Sequence, residues 1–129
     1  MDAVINDIDG SPMILKNHGI AGNHWVSFEL AGTQSNRMAI GARLKLVAGG
    51  MTQSDEIHSG SSYLSQNDVR IHFGLGKAAK IDSLEIRWPS GRAETLRDLA
   101  ADKFYSILEG QGIVPAEKIR PAHTASAAP

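Results

Sequence analysis

His24-Trp25-Val26-Ser27-Phe28-Glu29-Leu30 decides the fold. Successive side chains of an extended strand point to opposite faces, so His24, Val26, Phe28 and Leu30 share one face and Trp25, Ser27 and Glu29 the other. That is the pattern of a half-buried strand. The alternation recurs after a polar turn over 31–37, where Ile40, Ala42, Leu44 and Leu46 point inward and Arg43 and Lys45 outward. Ala48-Gly49-Gly50 offers the positive φ angles of a tight hairpin, and its return strand over 51–58 is polar enough for an edge. Val69-Arg70-Ile71-His72-Phe73 is a short strand and Gly74-Leu75-Gly76 a turn. In 81–88, Leu84, Ile86 and Trp88 share a face, Pro89-Ser90-Gly91 turns the chain, and 94–99 and 104–108 are strand-like again. About seven strands at this spacing predict an all-β fold, an antiparallel β-sandwich or small barrel. The expected organisation is an N-terminal strand segment over 1–22, a β domain over 23–110, and a disordered tail over 111–129, where Pro115, Pro121 and Pro129 stand among alanines without periodicity.

Composition narrows the function classes. The 129 residues suffice for one core, and 42% hydrophobic residues exclude wholesale disorder. Thirteen Lys and Arg against fourteen Asp and Glu leave a net charge of −1, so no global field attracts nucleic acid or an anionic membrane. The absence of Cys excludes disulfides, thiolate zinc sites and a cysteine nucleophile. No apolar run approaches the roughly 20 residues of a membrane helix, and no basic segment precedes an apolar stretch at the N-terminus. Neither membrane insertion nor an export signal is expected in this chain.

The motifs that touch known chemistries are incomplete. Gly74-Leu75-Gly76-Lys77-Ala78-Ala79 matches a dinucleotide fingerprint in form, but Ile81 opens a strand where that fingerprint needs a helix. Asn6-Asp7-Ile8-Asp9-Gly10 resembles the core of a calcium loop, making Asp7 and Asp9 the candidate metal ligands there. Ile5 holds the first ligand position and Lys16 the distal one, which favours a plain Asx and Gly turn. Glu56 and His58 on one strand face, with His72 on another strand, fall short of a site because two ligands on one strand do not enclose a metal. Ser61, Ser62 and Ser65 fit no nucleophile elbow or triad order. Tyr63 and Leu64 in the polar loop, with Trp25 and Trp88, are candidates for an aromatic recognition surface, although aromatics beneath loops are commoner as packing.

Taken together, Asn23-His24-Trp25, Ser35-Asn36-Arg37, Ile40-Gly41-Ala42-Arg43, Glu56-Ile57, Ser59-Gly60-Ser61-Ser62-Tyr63-Leu64-Ser65-Gln66-Asn67, His72-Phe73-Gly74-Leu75-Gly76 and Ile86-Arg87-Trp88-Pro89-Ser90-Gly91 resemble the ASPIC/UnbV family. The likeness spans roughly 17–109; Met38 and Ser54-Asp55 depart from the more polar or basic residues of the pattern. It implies a β module that follows an FG-GAP or VCBS propeller in exported proteins, and therefore an extracellular or periplasmic location. Residues 3–17 look similar to the end of a last propeller blade, so the chain reads as a fragment of a longer protein.

The resulting expectation is a non-catalytic interaction module that binds a glycan or protein. Asn36, Arg37, Glu56, Ser61, Ser62, Tyr63, Ser65, Gln66 and Asn67 are the candidate ligand contacts, with Arg37 and Glu56 paired across two loops. The alternatives are an accessory or catalytic part of a larger propeller-containing biosynthetic protein, and a purely structural propeller cap. No cofactor is expected, with calcium entering only in a longer, propeller-containing form. Apolar residues on both sides of the Asp9-Gly10 turn predict that residues 3–16 pair with the domain's own sheet or join two copies of the chain.

Overall fold

Strand alternation, interrupted by residues that only a turn accommodates, divides the chain into ten strands and one short helix among the described residues. The computed structural model describes residues 1–60 and 69–119. The strands are β1 (Ala3–Ile5), β2 (Met13–Leu15), β3 (His24–Ala31), β4 (Arg43–Ala48), β5 (Met51–Glu56), β6 (Ile71–Gly76), β7 (Lys80–Arg87), β8 (Ala93–Ala100), β9 (Lys103–Leu108) and β10 (Gly112–Val114), followed by α1 (Ala116–Ile119). Eight of them build two four-stranded sheets, ordered β10-β9-β3-β6 and β5-β4-β7-β8, while β1 and β2 form a hairpin of their own. The fold is a sandwich and not a closed barrel. Among the described residues, all strand pairs are antiparallel but one: β3 and β9 run parallel from Val26↔Lys103 to Ala31↔Leu108. The chain passes from the second sheet into the first between β8 and β9, through the two residues 101 and 102.

The inward phase of the alternation supplies the core. Val26, Phe28 and Leu30 of β3 meet Leu44 and Leu46 of β4, Leu84 and Ile86 of β7, and Ile107 of β9, all at most 5% exposed. Each such side chain contributes about 1.5–3 kcal/mol on burial. Tyr105 stacks on Phe28 at 5.8 Å, extending the core toward the start of β9. His24 leaves the pattern, because the β3–β6 register shifts between His24 and Trp25 and the imidazole pairs with Asp102 instead of entering the core.

Several boundaries move. The inward run from Ile40 is a strand only from Arg43, since Ala39 and Gly41 have φ of 54° and 93° and make a turn. Gly74-Leu75-Gly76 belongs to β6 and does not turn the chain; the turn follows, with the Ala78 N–H donating to the Leu75 carbonyl. No helix follows the glycines, so the dinucleotide geometry is excluded. The β4–β5 hairpin turns at Gly49 and Gly50, φ 56° and 77°, as the sequence requires. Beyond Gly110 the chain carries more order than its composition signals: β10 pairs with β9, and Ile119 of α1 packs on Ala31 and Leu108. No helix among the described residues is long and apolar enough to cross a membrane.

Candidate functional site

The outer face of the first sheet gathers aromatic side chains where a solvated sheet would carry polar ones. Trp25 points outward from β3, His72 from β6 and Phe104 from β9. The Trp25 and His72 rings stack at 5.6 Å, and Phe104 meets Trp25 edge-on at 4.9 Å. The Arg70 guanidinium lies 5.4 Å from the centre of the Phe104 ring, within cation–π range. Phe104 nonetheless stays 66% exposed. Beside it runs a groove of about 390 Å³, lined chiefly by Glu29, Arg70, Phe104, Ser106, Ile113 and Pro115. This falls in the size range of small-ligand sites, and the lining mixes apolar surface with a few polar groups, as such sites do.

The start of that face is fixed by Asp102. Its carboxylate meets His24 Nδ1 at 2.6 Å and accepts from the Trp25 N–H at 3.2 Å, while its own N–H donates to the Trp25 carbonyl. The hydrogen bond with His24 holds the Asp102 carboxyl below its ordinary range. Asp102 takes a φ of 59°, so its backbone makes the corner that brings Lys103 and Phe104 alongside β3.

A second cluster centres on Glu109, 2% exposed at the end of β9. Its Oε2 accepts from the N–H groups of Thr33, Gln34 and Ser35 at 2.8–3.0 Å, and its Oε1 from the hydroxyls of Ser35 and Ser90. Burial alone pushes this carboxyl up, but the Ser90 hydroxyl and the Ser35 and Thr33 donors outweigh it and hold it at about 2. The loop over 32–37 thus folds around a carboxylate, as around a bound anion. Its close curl requires Gly32: a Cβ there would sit 2.6 Å from the Ser35 carbonyl oxygen and closer still to that of Asn36. Beside it, the Trp88 indole N–H donates to Glu94, whose other oxygen accepts from the Gly110 N–H at 3.1 Å. These bonds use up the groups involved in joining three loops, a structural role.

The residues expected to contact ligand do not converge. Asn36 is spent on its own turn, its amide bonding the N–H and carbonyl of Ile40 at 2.9 Å. Arg37 does not pair with Glu56: its Nη2 donates to the Ile119 carbonyl at 2.8 Å, and Glu56 pairs with Arg43 across β4 and β5 at 3.0 Å. The reason is register, which sets Glu56 directly opposite Arg43. Ser61, Ser62, Tyr63, Leu64, Ser65, Gln66 and Asn67 lie outside the described residues. Trp88 is 3% exposed and belongs to the core, so of the two tryptophans only Trp25 stands at a surface. Asp7 and Asp9 sit in the β1–β2 connection, and no group of three or more His, Asp or Glu side chains among the described residues is placed to hold a metal ion.

Three residues now prominent were absent from the sequence-based set. Phe104 carried a readable signal, a large aromatic in the outward phase of a strand whose inward phase is Tyr105 and Ile107. Glu109 carried none, because its five donors come from segments 19 to 76 residues away. Arg70 depends on the pairing of strands far apart in sequence. Among known proteins, no curated relative matches the chain. A family model described as ASPIC and UnbV matches residues 32–114, the stretch that starts just after β3 and runs from the loop around Glu109 through β4–β9 to β10. The chain belongs to the ASPIC and UnbV family.

Proposed function

We propose that this domain is a non-catalytic interaction module, working outside the cytoplasm, whose ligand surface is the outer face of the first sheet. The observation that supports this is the exposed Phe104 ring beside Trp25 and the groove of about 390 Å³. Aromatic side chains with an adjacent arginine are the residue types that carry most binding energy at protein surfaces, and an aromatic face equally suits the apolar face of a sugar ring. The ligand is a glycan or a protein. Trp25 is a built-in reporter, because Trp88 is buried and responds little to surface binding. Titrating a glycan panel and fractionated exported proteins into the full chain should change Trp25 emission saturably for one class. Phe104→Ala should weaken that binding by about tenfold or more while leaving the unfolding midpoint in place, as expected of an exposed hot-spot residue. Undiminished binding by Phe104→Ala would move the ligand surface elsewhere.

One feature favours a second, structural reading. Val4, Ile5, Met13, Ile14 and Leu15 of the β1–β2 hairpin are 42–74% exposed, on both of its faces. A two-stranded hairpin is at best marginally stable alone, and one apolar on both faces suits insertion between layers of another β structure. Under this reading the domain is a cap docked through its hairpin.

A further inference from the structure

The outer face of the second sheet carries an arrangement that sheet stability disfavours. Leu44, Leu46, Leu84 and Ile86 are buried, so the intervening Arg43 and Lys45 of β4 and Glu85 and Arg87 of β7 face outward. Register sets Lys45 opposite Glu85, a favourable pair, but Arg43 opposite Arg87. Like charges directly across an antiparallel pair are destabilising. Each guanidinium is held from its own side: Arg43 Nε donates to Glu56 at 3.0 Å and Arg87 Nε to Glu85 at 3.3 Å. Among the described residues these are the only side-chain hydrogen bonds the two arginines make, so the terminal nitrogens of both face solvent, with each side chain 74% exposed. Lys45, Ser54 and His58 join them around a groove of about 580 Å³.

Two forks steadied through Nε and left open at the tips match an oxyanion, which accepts from both and relieves their repulsion. The carboxylates of Asp55, Glu56 and Glu85 border the groove and balance the charges of Arg43, Lys45 and Arg87, so recognition there rests on the open guanidinium tips and not on a net positive field. We propose that Arg43 and Arg87, with Lys45 beside them, form a binding site for a single sulfate or carboxylate group of a ligand. The site lies on the sheet opposite the aromatic face and does not depend on that face binding anything.

The test follows arginine Nε–Hε resonances of the full chain during titration with sodium sulfate and, separately, sodium acetate, at ionic strength held constant with chloride. Saturating shifts of Arg43 and Arg87, absent at Arg92 and Arg97, are expected for at least one anion, and the tighter of the two identifies the group. Arg87→Lys keeps the charge and loses the fork, so it should bind about tenfold more weakly. Arg87→Thr should abolish binding and hold or raise the unfolding midpoint, since it removes the repulsion. Linear shifts shared by all arginines, undiminished affinity in Arg87→Lys, or a lowered midpoint in Arg87→Thr would each overturn the proposal.

Discussion

Glu109 shows how one buried carboxylate can organise a domain end. It reaches the 32–37 loop and the β7–β8 turn at once, so Ser35 and Ser90, in two separate blocks of the family pattern, meet on one acid. Its folded-state value of about 2 lies below the ordinary 4.5, so the stability it contributes is fully present above about pH 4.5 and is lost as the pH falls toward 2. The shift corresponds to on the order of 3 kcal/mol. Glu109→Gln should therefore destabilise the domain by about 2–4 kcal/mol at pH 7, leaving backbone donors short of an acceptor. Urea unfolding of both proteins across pH should show the gap closing between pH 4.5 and 2. A gap that stays constant over that range would mean that the ionised form is not what the loops bind.

At the scale of elements, β10 and α1 matter more than their composition suggests. β10 extends the first sheet beside β9, and Ile119 of α1, 9% exposed, closes a small second core over Ala31 and Leu108. The Ile119 carbonyl also receives Arg37, which anchors the loop that Glu109 holds from the other side. Ile119→Ala should cost about 2 kcal/mol, the low end for a buried isoleucine because this cluster is small and peripheral. Thermal unfolding that is unchanged in this variant would return the segment to a loose tail.

For the whole molecule, the sandwich and the β1–β2 hairpin are energetically unequal. The sandwich owns the continuous core, whereas the hairpin's apolar side chains remain exposed. Among the described residues, the hairpin pairs with itself and not with either sheet of the domain. Deleting residues 1–16 should leave the unfolding midpoint of the sandwich within a degree or two, since no core residue is lost. If the hairpin joins two copies of the chain, light scattering should show the complete chain associating and the deletion variant monomeric. A complete chain that is monomeric, with rapid amide exchange over 3–16, would remove association between copies and leave docking to a different β structure.

The sequence by itself determined the sandwich's strands apart from β10, and their inward faces apart from His24, because period-two alternation and turn residues such as Gly49, Gly50 and Gly91 are local signals. It also carried the family, whose blocks are contiguous stretches of chain. Strand limits slipped where a single residue took a left-handed conformation, as at Ala39, and where order came from packing, as at Ile119. Tertiary structure alone decided which polar groups meet. Local pattern suits Arg37 and Glu56 to pair with each other, but β4–β5 register gives Glu56 to Arg43, and the fold of the C-terminal segment gives Arg37 the Ile119 carbonyl. The aromatic face, the Glu109 clamp and the Arg43–Arg87 pair all join residues from strands or loops distant in sequence. Side-chain direction is written in two-residue periodicity, whereas a partner across the sheet is set by register and topology, which only the folded chain fixes.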